Sequence, residues 1–374
     1  MELQTEVRAD LDMSSTRFAA AHRVLTEAIA AGAFPGCAFG VLSGGQIVLE
    51  DALGQFTYDD SVAPMEPRTV FDIASVTKIA ATTAAAMLLH QRGLLDIDML
   101  LGDLLPGFIV GREPGSPARQ ITLRHLLAHN SGLPGYVEFF RTQTTPAGLF
   151  RACLELPIQA QPGARAEYSD PGFILLGKAI EVISGEPLAN WAEREVFDPL
   201  GMTATGFCPR LSARSAIPPT ENDDQFRFRI VQGEVQDENA HILHGIAGHA
   251  GLFSNVRDLL RFSAEILAAT EHPSSPEPAR LFRRDTLEFF AERQSPAGSS
   301  RALGWDTPGE NSSSGGHFSA RSIGHLGYSG CSLWIDLEAA VAIVLLTNRT
   351  WPDRQSQLIR QVRPAFHDAI REAL

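Results

Sequence analysis

The chain has 374 residues, a mass of 40.5 kDa and a formal net charge of −13, with 44% hydrophobic and 20% charged residues. That balance excludes a disordered chain, and the negative charge offers no basic footprint to nucleic acid or an anionic membrane surface. The longest aliphatic run, residues 339–346, is far shorter than the ~20 residues a membrane-spanning helix needs. Residues 1–15 mix acids and bases without an apolar stretch, so no signal peptide is visible. With Cys37, Cys153, Cys208 and Cys331 far apart, the expectation is a globular protein of the reducing cytoplasm.

Residues 17–31 carry helical apolar spacing and end at Gly32. Two β-type runs follow, 37–42 and 46–53, around the turn signal Ser43-Gly44-Gly45. Residues 76–92, rich in Ala and Thr, read as a helix stopped by Gly93. From there to about residue 250, helical segments at 122–128, 146–154, 171–183 and 188–197 alternate with Pro and Gly. Residues 208–240 read as a long polar loop with at most a short hairpin, and 256–269 return to helical periodicity. A Gly/Ser-rich loop at 295–321 precedes three strands, 322–327, 332–336 and 341–347, and a last helix from about Arg354.

Strands at both ends with helices between predict an α/β (α+β) fold. An antiparallel sheet built from both chain ends is flanked by helices, with a mostly helical insert. The expected division is 1–75 plus 250–374 for the sheet domain and 76–249 for the insert, with a cleft between them.

Of the 31 basic residues, only Lys78 and Lys178 are lysines. Lysine, unlike arginine, can lose its proton when desolvated. Lys78 follows Ser75 by three positions at the head of a predicted helix. There the Ser75 hydroxyl sits beside backbone N–H groups and the positive end of the helix dipole, with the Lys78 amine on the same face. Such a pair gives a weak nucleophile an adjacent base. On these two residues alone, an N-cap serine followed by a surface lysine is an equally good reading.

Other patterns suggest cofactors but lack the residues to hold them. Gly172 to Lys178 nearly spells a phosphate loop, yet Ala179 stands where Mg²⁺ needs a hydroxyl, and residues 173–176 are bulky and apolar. His125 and His129 have zinc-pair spacing with Leu126 in place of the glutamate. His241, His244 and His249 bring no thiolate, and His249 reads as a glycine-flanked loop residue bordering the cleft. No metal and no cofactor is expected.

Two further motifs follow Ser75-Val76-Thr77-Lys78 in order: Tyr168-Ser169-Asp170, and Gly324-His325-Leu326-Gly327-Tyr328. Together they resemble the three-motif pattern of the serine β-lactamase and penicillin-binding protein superfamily. The similarity is closest to the class C branch with its esterase- and peptidase-like relatives. It continues through Phe71-Asp72-Ile73-Ala74, His129-Asn130-Ser131-Gly132-Leu133-Pro134, Ala247-Gly248-His249-Ala250-Gly251 and Leu345-Leu346-Thr347-Asn348-Arg349. It spans residues 18 to 350.

The resemblance implies a serine acyl hydrolase in which Ser75 is acylated and Lys78 and Tyr168 share proton transfer. The N–H groups of Ser75 and Tyr328 would form the oxyanion hole. Asp170, His325, Gly327 and His249 would face the substrate, with Gly327 letting the strand edge approach it. The substrate would be a small molecule or short peptide: a short-chain ester, a D-amino-acid peptide or a β-lactam. Two positions depart from the pattern. Asp170 replaces the usual Asn, and a carboxylate near Lys78 favours the ammonium and shifts the base role toward Tyr168. His325 replaces the Lys of K-T-G, and a neutral imidazole attracts a substrate carboxylate less. The departures favour ester or peptide-like substrates. They also leave a second reading, a binding or scaffold protein of the same fold with little or no turnover.

Overall fold

A computed structural model describes residues 17–270 and 280–374; the leader reading of residues 1–15 lies outside these. Ten strands occur among the described residues: β1 (Gly36–Ser43), β2 (Gln46–Gly54), β3 (Phe71–Asp72), β4 (Gly206–Phe207), β5 (Pro219–Asp223), β6 (Arg229–Gln232), β7 (Leu252–Ser254), β8 (Ser322–Leu326), β9 (Ser332–Asp336) and β10 (Val341–Thr347). The longer helices are α1 (Ala19–Ala30), α2 (Ala84–Gln91), α3 (Pro146–Leu154), α4 (Asp170–Ser184), α5 (Val256–Ala268), α6 (Arg284–Ala291) and α7 (Ile359–Ala373).

Residues 341–346 are apolar without alternation, as a strand buried on both faces must be, and β10 is accordingly the central strand. The main sheet has the order β2-β1-β10-β9-β8, with every neighbour antiparallel. It is therefore built from both chain ends, as the strand clustering predicted. β8 is an edge strand, so the chain at its C-terminal end is available to a ligand.

α1 and α7 cover one face of the sheet. Val362, Phe366 and Ile370 of α7 meet Phe18, Leu25 and Phe39 there. Burying one such Phe stabilises the fold by about 1.5–3 kcal/mol. α5 packs on the opposite face against β1 and β10. From it a single core runs through α2, α3 and α4, so the sheet and the helical segments share one apolar interior.

Two local outcomes differ from the sequence reading and one agrees with it. The helix expected at 76–92 is split into a 3₁₀ turn (Ala74–Val76), a π-helical segment (Lys78–Thr83) and α2. The π segment widens the helix where the Lys78 side chain is buried, a placement common at functional sites. The polar stretch 208–240 contains the short hairpin, β5–β6, that the sequence reading allowed. The last helix starts at Ile359, not near Arg354. Arg354 is instead drawn to Glu221 and Glu238, both at 2.6 Å, and its carbonyl and that of Ser356 accept from Arg349.

Candidate active site

The chain entering the Ser75 motif is kinked. Ala74 has φ +47°, a left-handed conformation costing an L-residue ~1–2 kcal/mol, and its N–H is held by Asp72 Oδ1 at 2.8 Å. The second Asp72 oxygen accepts the Gln236 N–H at 2.7 Å. Burial raises the Asp72 carboxyl to about 6 despite these two bonds. Ser75 follows on the 3₁₀ turn, one turn before Lys78.

Lys78 is fully buried, and its three ammonium protons have three acceptors: Ser75 Oγ at 3.0 Å, Asp170 Oδ1 at 2.6 Å and the His249 carbonyl at 3.0 Å. The i, i+3 spacing thus delivers the expected contact. The Tyr168 ring centroid lies 4.7 Å from Nζ and that of Phe173 5.6 Å away, adding cation–π attraction. Burial pulls the Lys78 pKa down, but Asp170 and Tyr168 outweigh it and hold it above the ordinary lysine value. Burial raises the Tyr168 phenol above its usual value, opposed in part by Lys78, and its hydroxyl interacts with both Lys78 and Ser75. At neutral pH the site therefore holds an ammonium and a neutral phenol.

Helix chemistry explains why Asp170 sits at this point. The Ser169 hydroxyl caps α4 by accepting the Gly172 N–H at 3.1 Å, Pro171 occupies the first turn, and Asp170 places negative charge at the helix N-terminus. The Asp170 N–H donates to the Gly135 carbonyl at 2.9 Å. His129, one of the two zinc-spaced histidines, steadies this motif. Its Nδ1 accepts the Ser169 N–H at 2.9 Å, and its ring lies 4.6 Å from that of Tyr168 and 4.9 Å from that of Phe173. Burial depresses its pKa, keeping it the neutral acceptor this bond requires. The near phosphate loop is the interior of α4, with Phe173, Leu175 and Leu176 buried and Lys178 paired at the surface with Glu181.

The end of β8 completes the site. His325 is buried, its Nδ1 donates to the Leu326 carbonyl at 2.8 Å, and burial, with Lys78 and Arg301 nearby, lowers its pKa well below the ordinary value. A Cβ on Gly327 would stand 2.5 Å from the Ile73 carbonyl oxygen. Close approach to the chain before Ser75 thus requires a glycine here, in addition to the substrate approach that the sequence reading expects. Among the described residues neither the Ser75 N–H nor the Tyr328 N–H has a partner. Tyr328 itself is 51% exposed.

Ser75, Tyr168, Asp170, His325, Gly327 and Tyr328 all line one cleft of about 1160 Å³. His249 does not join them as expected. Its side chain is 1% exposed and turned inward, with Nε2 2.9 Å from Asp237 Oδ1, and only its carbonyl serves the site, through Lys78. Burial opposes the Asp237 charge, but His249, the Ala240 N–H and Lys78 outweigh it and hold the carboxyl at about 2. The sequence reading missed Arg301, whose guanidinium lies 5.4 Å from the Tyr168 ring centroid and 3.7 Å from Asp306. It stands in the Gly/Ser-rich stretch, where nothing local marks it.

A family model described as β-lactamase matches residues 21–364. The chain is 33% identical over 355 residues to an N-acetylmuramyl-L-alanine amidase of Bacillus subtilis (strain 168), covering 86% of this chain and 78% of that protein. It is 29% identical over 358 residues to an Escherichia coli O157:H7 protein that carries the name D-alanyl-D-alanine carboxypeptidase, covering 87% and 81%. It also superimposes on a class C β-lactamase from Rhodobacter sphaeroides with a TM-score of 0.70, at 19% identity over 94% of this chain and 98% of that one. The family match over residues 21–364 and the identity along nearly the whole length give one conclusion: this chain belongs to the β-lactamase family of serine hydrolases.

Proposed function

We propose that this protein is a serine amidase acting on cell-wall fragments, with the amide between an N-acylmuramyl group and L-alanine as its substrate class. The observation that carries the reading is the chain Ser75–Lys78–Asp170, at 3.0 and 2.6 Å, opening onto the cleft beside two free N–H donors. The similarity to the B. subtilis amidase supports the substrate class. So does size, because about 1160 Å³ exceeds the ~300–1,000 Å³ usual for a drug-sized ligand and suits a sugar-peptide better than a short-chain ester.

Ser75 Oγ attacks the amide carbon while its proton passes to Tyr168 Oη. In the same concerted step Tyr168 gives its own proton to the amide nitrogen, so Oη never holds two protons, and the C–N bond then breaks. Water then attacks the acyl carbon, passes a proton to Tyr168 Oη, and Tyr168 returns one to Ser75 Oγ, releasing the acid. This relay needs a neutral phenol and no deprotonated lysine, matching the charge states set by Asp170 and by burial. Lys78 orients Oγ as an ammonium, and the N–H groups of Ser75 and Tyr328 receive the oxyanion. Arg301 is the cation placed to receive the free carboxylate of the leaving amino acid, since the buried, neutral His325 offers no charge.

The test is a panel with wild type and Ser75→Ala: N-acetylmuramyl-L-alanine, a D-alanyl-D-alanine peptide, p-nitrophenyl acetate and a chromogenic cephalosporin. The expected result is the highest kcat/KM on the muramyl amide, abolished in Ser75→Ala. Preference for the D-alanyl peptide would move the protein to the carboxypeptidase class, and turnover of none would favour the scaffold.

A further inference from the structure

Arg363 lies on the inner face of α7, between the apolar contacts of Val362 and Phe366. Its side chain belongs to a residue only 6% exposed, and it has no carboxylate partner among its bonds. A buried cation without a matching anion is costly, so its acceptors are informative. All three are carbonyls of one turn: Nη2 donates to Gly327 O at 2.6 Å and to Cys331 O at 2.8 Å, and Nε donates to Gly330 O at 3.1 Å. Gly330 has φ +105°, and its N–H also donates to Gly327 O. The turn is fixed from outside as well, with Ser329 Oγ on the Asp72 carbonyl at 2.8 Å and Arg349 Nε on the Tyr328 carbonyl at 2.8 Å.

The Gly327 carbonyl and the Tyr328 N–H are the two ends of one peptide unit. In a trans peptide they point in opposite directions, so drawing the oxygen toward α7 aims the N–H away from it, into the cleft. A positive charge on the oxygen also polarises the unit and makes that N–H a stronger donor, an effect enlarged by a low local dielectric. We propose that Arg363 is a positioning residue for the oxyanion hole, orienting and strengthening the Tyr328 N–H through the Gly327 carbonyl. This rests on the reading of Tyr328 as an oxyanion donor. Burial lowers the Arg363 pKa to about 10, which leaves it charged across the working range.

The experiment compares wild type, Arg363→Lys, Arg363→Met and Ser75→Ala on p-nitrophenyl acetate, with kcat and KM measured separately and folding checked by thermal melting. Losing one oxyanion donor outright costs about 10²–10³ in kcat. A weakened donor in Arg363→Met is therefore expected to cost about 10²-fold, with partial rescue to about tenfold in Arg363→Lys. KM stays within about twofold, because the donor acts on charge that develops only in the transition state. If Arg363→Met fails to fold, Arg363→Lys decides. Native kcat in a folded variant overturns the proposal, and so does a raised KM at native kcat, which would make Arg363 a substrate contact. Turnover retained in Ser75→Ala would instead overturn the reading of the site on which the proposal rests.

Discussion

Lys78 and Arg363 are both buried cations at the cleft, and their surroundings differ. Lys78 meets a carboxylate at 2.6 Å, while Arg363 meets only carbonyl oxygens at 2.6, 2.8 and 3.1 Å. The field of an ion pair falls off quickly because its two charges cancel, so Lys78 acts on Ser75 by contact and orientation. An unmatched charge reaches further in a poorly screened interior, and Arg363 has a peptide dipole in its path. One cation sets geometry, and the other sets the strength of a donor.

The largest effect should come from removing the group the Lys78 side serves. Ser75→Ala is expected to lower kcat by about 10⁴-fold or more with an unchanged melting temperature, since the hydroxyl is a site group and not core packing. Steady-state kinetics and calorimetry on the same preparation check this.

Breaking the neutralised pair comes next. Asp170→Ala leaves Lys78 buried beside no anion, and losing one partner of such a pair costs about 3–5 kcal/mol, measurable by urea unfolding. Asp170→Asn keeps the size and removes the charge. Asp170 raises the pKa of both Lys78 and Tyr168, so its loss lowers both. If the ammonium and the neutral phenol are the working forms, kcat/KM in wild type is flat through the ordinary lysine range and falls only above it. In Asp170→Asn that fall moves to lower pH. Activity that instead rises with proton loss between pH 8 and 10 would assign catalysis to a free amine or phenolate. Stability carries the same sign. A lysine whose folded pKa is raised stabilises fully below its unfolded value of 10.5 and loses that contribution as pH climbs through the folded value.

A smaller effect is expected at Arg301. Arg301→Gln should lower kcat/KM for a carboxylate-bearing amide about tenfold relative to p-nitrophenyl acetate, the scale of one charge-assisted hydrogen bond. Equal losses on both substrates would mean that Arg301 supports Tyr168 and does not touch the carboxylate. The smallest effect belongs to His325. Its pKa lies well below the ordinary imidazole value, so acidification from pH 8 to 6 adds no charge there. The ratio of anionic to neutral substrate specificity should stay flat over that interval.

Local spacing made much of this legible. Ser75 and Lys78 meet because three residues are one turn, and β10 is central because residues 341–346 are apolar without alternation. Tyr168 and Asp170 were found through a motif, and the residue types of Ser169, Pro171 and Gly172 mark the helix start that fixes them. What stayed hidden depends on distant partners. Arg363 reads as one more charge on an amphipathic helix until the turn at 327–331 is folded beneath it. His249 sits in a glycine-flanked segment suited to a cleft rim, and only Asp237 pulls its ring inward. Gly327 reads as room for substrate, and the close approach to Ile73 that also needs a glycine exists only in three dimensions. Arg354 lies in a helix-compatible stretch, but Glu221 and Glu238 hold it out of the helix.

The most direct test of the account is covalent capture at the nucleophile. Wild type and Ser75→Ala are incubated with a fluorophosphonate, digested and mapped by mass spectrometry. The account predicts one adduct, on the peptide containing Ser75, absent from Ser75→Ala and slowed in Arg363→Lys. An unlabelled wild type with the fold intact, or an adduct on any other residue, would contradict it.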